Sequence, residues 1–81
     1  MLTVKVLGGG CANCKRLEQN VRLAGSELGQ DMEVVKVTDI QDIMAFNIMS
    51  TPGLVINGKV VSSGRVPSPA EIKGLLAEAA E

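Results

Sequence analysis

Within the first 37 residues the hydrophobic period of the chain changes twice, and this constrains the fold more than any other feature. Leu2-Thr-Val-Lys-Val-Leu7 alternates and is rich in β-branched residues, the pattern of a strand. Gly8-Gly9-Gly10 closes it. Cys14, Leu17, Val21, Ala24 and Leu28 then recur at spacings of three and four, which marks one buried face of a helix. Gly29 follows as its expected C-cap. Residues 33–37 return to an extended pattern, apolar enough to be expected under cover on both sides. A strand, a helix and a second strand in so short a span imply a right-handed parallel crossover.

The remainder of the chain adds a hairpin and two helices. Thr38 and Gln41 fit a capping box that opens a helix with Ile40, Ile43, Met44 and Ile48 directed inward. Thr51-Pro52-Gly53 ends that pattern. Residues 54–56 and 59–61 flank Asn57-Gly58, the strongest short hairpin signal. Ser68 and Glu71 form a second capping box, with Pro69 at the first helical position. Ile72, Leu75, Leu76 and Ala79 lay this last helix on the sheet. The expected order is β-α-β-α-β-β-α: an α/β chain whose four-stranded mixed sheet carries three helices. No repeat or linker interrupts it, so residues 1–81 are read as a single domain.

Composition removes several classes of function. Hydrophobic residues make up 46% of the 81, enough for a packed interior and too many for a disordered chain. The net charge is −1 and Phe46 is the only aromatic residue. Nucleic-acid binding needs a cationic track, and single strands also need stacking rings, so that partner is not expected. No apolar run approaches the ~20 residues of a membrane helix, and the N-terminus lacks the pattern of a signal peptide. A cytoplasmic monomer is the expectation, in a compartment where paired cysteines rest mainly reduced. A bridge between cysteines three positions apart staples little chain, so reactivity or metal binding explains the pair better than architecture does.

Cys11-Ala-Asn-Cys14 lies where a strand ends, glycines turn the chain and a helix begins. The thiolate is the nucleophile of disulfide exchange, and unpaired N–H groups at a helix start favour the anion. Cys11, at about the N-cap, should be the exposed attacking sulfur. Cys14, in register with Leu17 and Val21, should be sheltered and resolve the mixed disulfide. Lys15 and Arg16 add positive charge near the helix start or serve as solvated surface residues. Asn13 suits the polar first turn. Met32, Met44 and Met49 are read as core filler or loop residues.

Two readings compete with this one. Soft-metal transfer modules of the copper-chaperone type also place a CxxC after their first strand, where two thiolates suit a soft ion. Such modules usually carry Met two residues before the first cysteine, where Gly9 stands here, and they end in a strand rather than a capped helix. A closed zinc site needs about four ligands, and this chain has two cysteines and no histidine. The bland reading is an unreactive buried pair, which suits Cys14 better than Cys11 beside three glycines.

Cys11-Ala-Asn-Cys14 after the first strand, Met49-Ser-Thr-Pro52 before the hairpin and Gly64 after it together resemble the thioredoxin fold family. The likeness spans nearly the whole chain and is greatest to its minimal, glutaredoxin-sized members, the small redox-active disulfide proteins. It implies a thiol–disulfide oxidoreductase with no cofactor or metal beyond the Cys11–Cys14 pair, a protein disulfide as substrate and an upstream reductase as partner. It also implies a cis proline beside the sulfurs at Pro52, with the Thr51 backbone pairing an incoming chain, and a substrate-facing glycine at Gly64. The chain departs from thioredoxins proper at Gly10, where they carry Trp, and at Ala12-Asn13, where they carry Gly-Pro. Lys5 replaces their buried acid. Ser63-Gly-Arg-Val-Pro67 lacks the acidic residues with which glutaredoxins grip glutathione.

Overall fold

The alternating segment Leu2–Leu7 forms β1, which takes a neighbour on each side because both of its backbone edges are free of proline and bulges. The computed structural model describes residues 2–48 and 50–80. α1 (Ala12–Leu28) follows β1 and leads to β2 (Met32–Val37), which lies parallel to β1 in the register Leu2↔Met32 to Leu7↔Val37. α2 (Ile40–Met44) comes next, then the hairpin of β3 (Gly53–Ile56) and β4 (Lys59–Ser63), and finally α3 (Pro69–Ala80). β3 pairs antiparallel with β1 and with β4, so the strand order is β2-β1-β3-β4. The expected element order and mixed sheet are those observed.

The hairpin turns at Asn57 and Gly58, whose φ values of 51° and 84° are the two positive dihedrals that a type I′ turn requires. Asn57 also ties the turn to the sheet. Its N–H donates to the Thr3 carbonyl at 2.8 Å, and its Oδ1 accepts from the Thr3 N–H at 3.0 Å.

Side-chain alternation divides the core between the two faces of the sheet. On one face Leu2, Val4 and Val6 of β1 and Leu54 and Ile56 of β3 meet α1 and α3 through Leu17, Val21, Ala24, Ile72 and Leu76. On the other, Leu7 and Val55 meet Ile43 of α2, with Phe46 and Ile48 packed against them. Lys5 lies on this second face, its Nζ 5.5 Å from the centre of the Phe46 ring, so the stem is covered while the charge rests on a π face. β3 is covered from both sides, and at Gly53 a Cβ would come within 2.7 Å of Ile48 Cδ1 and 3.2 Å of Leu7 Cδ1, so the ends of those side chains would have to shift to admit it.

Four local expectations are corrected. The N-cap of α2 is Asp39, not Thr38: the Asp39 carboxylate accepts from the Gln41 N–H at 2.8 Å, and a carboxylate reaches that amide readily. α2 is only five residues long, so a single position turns fully inward: Ile43 is buried, while Ile40 and Met44 are 70% and 65% exposed. Ile48 does pack inward, but beyond the end of the helix. Leu28 is exposed because it is the last residue of α1, and Gly25, pressed against the Met32 side chain, takes the inner position of the final turn. β2 is covered on both faces only in part: Val34 packs against one half of the core and Val37 against the other, but as an edge strand it has no fully buried residue. Met32 fills space against the main core, Met44 does not, and Met49 lies outside the described residues.

The two helix faces make opposite mutational predictions. Leu17→Ala removes a wholly buried side chain and should cost about 2–5 kcal/mol. Ile40→Ala, at an exposed site, should stay within about 0.5 kcal/mol. Urea unfolding of both variants checks the assignment of the core.

Candidate functional site

The site is built at the end of the sheet where β1 gives way to α1. Cys11 is the N-cap residue, extended at φ −73° and ψ 162°, and its Sγ accepts from the Cys14 N–H at 3.1 Å. Its own carbonyl receives the first helical hydrogen bond, from the Lys15 N–H at 3.0 Å. Sulfur here takes the place that a Ser or Asp oxygen has in an ordinary N-cap, so the helix start directs an N–H at it. No acidic residue occupies the first turn, and Lys15 and Arg16 are exposed there, so nothing in that turn opposes negative charge on the sulfur.

Cys11 and Cys14 are joined in a disulfide, and their environments differ. Cys11 is exposed, whereas Cys14 is only 5% accessible and continues the buried stripe of Leu17 and Val21. Gly8 makes room for it. A Cβ at Gly8 would collide with Cys14 Sγ and would lie 3.7 Å from Thr51 Cβ, and the φ of +151° at Gly8 is one that side chains rarely adopt. Gly8 therefore stands between the buried sulfur and the loop before β3. Its N–H is anchored to the Val37 carbonyl at 2.9 Å, which ties the end of β1 to the end of β2.

The other expected site residues converge from two loops. The Thr51–Pro52 peptide is cis, with Thr51 exposed and Pro52 buried. The Pro52 carbonyl accepts from the Gly64 N–H at 2.9 Å, so the loop before β3 and the loop after β4 are bonded to each other. Gly64 has φ +75° and faces Ser50, whose hydroxyl occupies the space a Cβ would need. The Asn20 side chain of α1 donates to the Pro67 carbonyl at 3.0 Å, fastening the second loop to the helix that carries the cysteines.

Cys14 also borders a cleft of about 110 Å³ lined by Val6, Gly8, Lys15, Glu18, Lys36 and Thr38 among others. Glu18 bonds Arg22 at 2.9 Å and lies 3.4 Å from Lys36 Nζ. The Arg22 hydrogen bond, seconded by the charge of Lys36, holds its carboxyl below the usual range. A wider groove of about 400 Å³ lies between the end of α1 and the start of β2, and neither cysteine lines it.

Residues 2–77 match the thioredoxin domain family. The chain belongs to the thioredoxin family. It is 41% identical over 76 residues to a thioredoxin of Methanothermobacter thermautotrophicus, spanning 94% of this chain and 99% of that one. To a thioredoxin of Methanocaldococcus jannaschii it is 40% identical over 73 residues, 90% of this chain and 84% of the other. Its fold superposes on that of a malaria-parasite thioredoxin-2 with a TM-score of 0.71 at 14% identity, covering 96% of this chain and 82% of that one. A malarial protein gives a TM-score of 0.69, also at 14% identity, covering 98% and 97%. Thioredoxins are thiol–disulfide oxidoreductases, and this chain is one by family. The soft-metal alternative gains nothing from these likenesses, and among the described residues no cluster of three or more His, Cys, Asp or Glu side chains is placed to hold a metal ion. Nor is any described helix long and apolar enough to cross a membrane.

Sequence reasoning overlooked Gly8, Ser50, Glu18 and Lys36. Gly8 was hidden among three successive glycines, only one of which touches a sulfur. Glu18 stands one turn beyond Cys14, a helical spacing that could have placed it beside the sulfur. Lys36 enters only through the parallel pairing Val6↔Lys36, which no local pattern encodes.

Gly8→Ala should slow disulfide exchange by roughly tenfold or more, since misplacing a reacting group by about 1 Å is that costly. Gly9→Ala, where an added Cβ meets nothing within 4 Å, should leave the rate unchanged. Insulin reduction assays on both variants, beside thermal unfolding, check this; equal rates would contradict the role given to Gly8.

Proposed function

We propose that the chain exchanges electrons with protein disulfides through the Cys11–Cys14 dithiol, Cys11 attacking and Cys14 resolving. The observation that carries this reading is the unequal setting of the two sulfurs: one exposed at a helix N-cap and receiving an N–H, the other 5% accessible. In the reducing direction the Cys11 thiolate attacks one sulfur of a substrate disulfide. A Cys11–substrate bond forms, the substrate disulfide breaks, and the departing thiolate takes a proton from water. Cys14, having lost its proton, then attacks Cys11. The intramolecular disulfide forms and the second substrate thiolate leaves. Two electrons have moved from the dithiol to the substrate, and an upstream reductase returns the pair to its reduced form. The chemistry needs no cofactor beyond the two sulfurs.

The substrate chain is proposed to lie along the exposed Thr51, next to Pro52, as an added strand, with Gly64 flanking it. Support comes from the bond between Gly64 and Pro52, which holds both loops as one surface, and from Gly8, where an added Cβ would meet Cys14 Sγ and, at 3.7 Å, Thr51 Cβ, so that both residues border the space beside one glycine. Ser63 to Pro67 offers no carboxylate for a glutathione amino group, so a protein is favoured over glutathione as the substrate. A cytoplasmic, monomeric protein fits this role.

The division of labour predicts unequal variants. Cys11→Ser should abolish turnover, whereas Cys14→Ser should still attack but accumulate mixed disulfides with its substrate. Non-reducing gels and mass spectrometry distinguish them. Faster alkylation of Cys14 than of Cys11 at neutral pH would reverse the assignment.

A further inference from the structure

Acidic residues are missing from both stretches of chain that make the exchange surface. None of the nine Asp and Glu residues falls within residues 1–17, which include the cysteines, or within residues 43–70, which carry Thr51, Pro52 and Gly64. Lys15, Arg16 and Arg65 do lie in those stretches, and all three are exposed. The whole chain has a net charge of −1, so this surface has the opposite sign to the molecule. Lys5 rests on Phe46, and Lys59 pairs with Ile56 at the far end of the sheet, so neither belongs to it. The bond from Asn20 to the Pro67 carbonyl turns one face of α1 toward the loop after β4. Arg16, four residues earlier, lies on that face one turn nearer Cys11. Arg65 stands in the loop itself, next to Gly64, and donates from both Nη groups to Glu71 of α3, which holds it there at 56% exposure. Lys15 is on the other side of α1, lining the cleft with Glu18 and Lys36. Positive charge therefore flanks Cys11 on both sides.

We propose that Arg16 and Arg65 form a cationic rim that selects protein disulfides flanked by carboxylates, with Lys15 reinforcing it from the opposite side. This rests on the chain exchanging electrons with protein disulfides through Cys11. Among the described residues Lys15 and Arg16 have no ion-pair partner, whereas the acids nearest to them and to Arg65 in the chain are engaged: Glu18 by Arg22 and Lys36, Glu71 by Arg65. Asp39 and Asp42 belong to α2, on the opposite face of the sheet from α1. A chain lying along Thr51 with Gly64 on its flank brings the residues beside its own cysteine near both arginines. Arg16 keeps its forked donors free for a carboxylate, which can accept from them in two parallel bonds. Arg65, already bound through its Nη groups, contributes charge, and Glu71 tempers it. Charges at such a rim act mainly on the rate of encounter, and they discriminate against partners of the same sign.

The test compares three disulfide-containing peptides, identical except for Glu, Gln or Lys beside the cysteine that is attacked. At low salt the Glu peptide should show a kcat/KM about threefold above the Gln peptide, and the Lys peptide one about threefold below it, the size expected of exposed charges. Added salt should bring the three together. Arg16→Gln and Arg65→Gln should each narrow the Glu-to-Lys ratio, and Glu71→Gln should widen it by freeing the charge of Arg65. Lys73→Gln, whose lysine pairs with Glu27 instead, should leave the ratio as it is. Each ratio is taken on one protein, so a loss of folded protein or a change in Cys11 reactivity cancels. A merely structural Arg65–Glu71 pair would give Arg65→Gln and Glu71→Gln the same effect. That result, equal rates for the three peptides, or a ratio untouched by Arg16→Gln overturns the proposal. Reduction of insulin by the wild type is followed in parallel, and its absence would count against the exchange function. NMR titration with the same peptides carrying Ser in place of Cys answers separately: the rim predicts tightest binding of the Glu peptide, and equal affinities would contradict it.

Discussion

The packing of α1 on β1 is the contact from which the site takes its geometry. Leu17, Val21 and Ala24 are completely buried against Val4, Val6 and the neighbouring strand β3, and so fix how the helix is rotated. Rotation decides which cysteine faces protein and which faces solvent, because residues three apart on a helix differ in depth by a fixed angle. With Leu17 inward, Cys14 must also point inward, and Cys11, preceding the first turn, falls at the exposed N-cap. A pair of sulfurs three residues apart thus acquires two environments from a core interaction that involves neither one directly.

The surface proposed to receive the substrate is held by a different set of forces, mostly backbone. The bond from Gly64 to the Pro52 carbonyl and that from Asn20 to the Pro67 carbonyl fasten two loops to each other and to α1. Close approach is made possible by missing side chains: Gly8 beside Cys14, Gly53 beneath Ile48, Gly64 against Ser50. Buried strands give these loops a rigid base, since β3 is covered on both faces and cannot shift without disturbing both halves of the core. Such support suits the strand addition proposed for the substrate, which recognises backbone more than side chains.

Much of this is legible in residues 2–37 and 54–61 of the sequence alone. β1, the α1 stripe, the parallel crossover and the Asn57-Gly58 hairpin are governed by local periodicity and turn chemistry, and local rules suffice for them. The N-cap position of Cys11 was legible for the same reason. α2 was not, because a five-residue helix carries too little periodicity to declare its inward face, and Asp39 outcompeted Thr38 for the cap. The edge position of β2 was hidden as well: Val34, Val35 and Val37 look like a central strand, yet strand order depends on where the hairpin inserts. Glu18 and Lys36 meet only because α1 returns β2 alongside β1, a relation between residues distant in the chain.

On the proposed reading Cys11 and Cys14 cycle as one dithiol–disulfide couple. A redox titration of the isolated protein in thiol–disulfide buffers, repeated in the presence of copper(I), tests it most directly. A cycling couple should give a single reversible two-electron transition, about 30 mV per tenfold change in ratio, that follows both cysteines together. A pair that stayed reduced across oxidising buffers while retaining copper(I) tightly would contradict it.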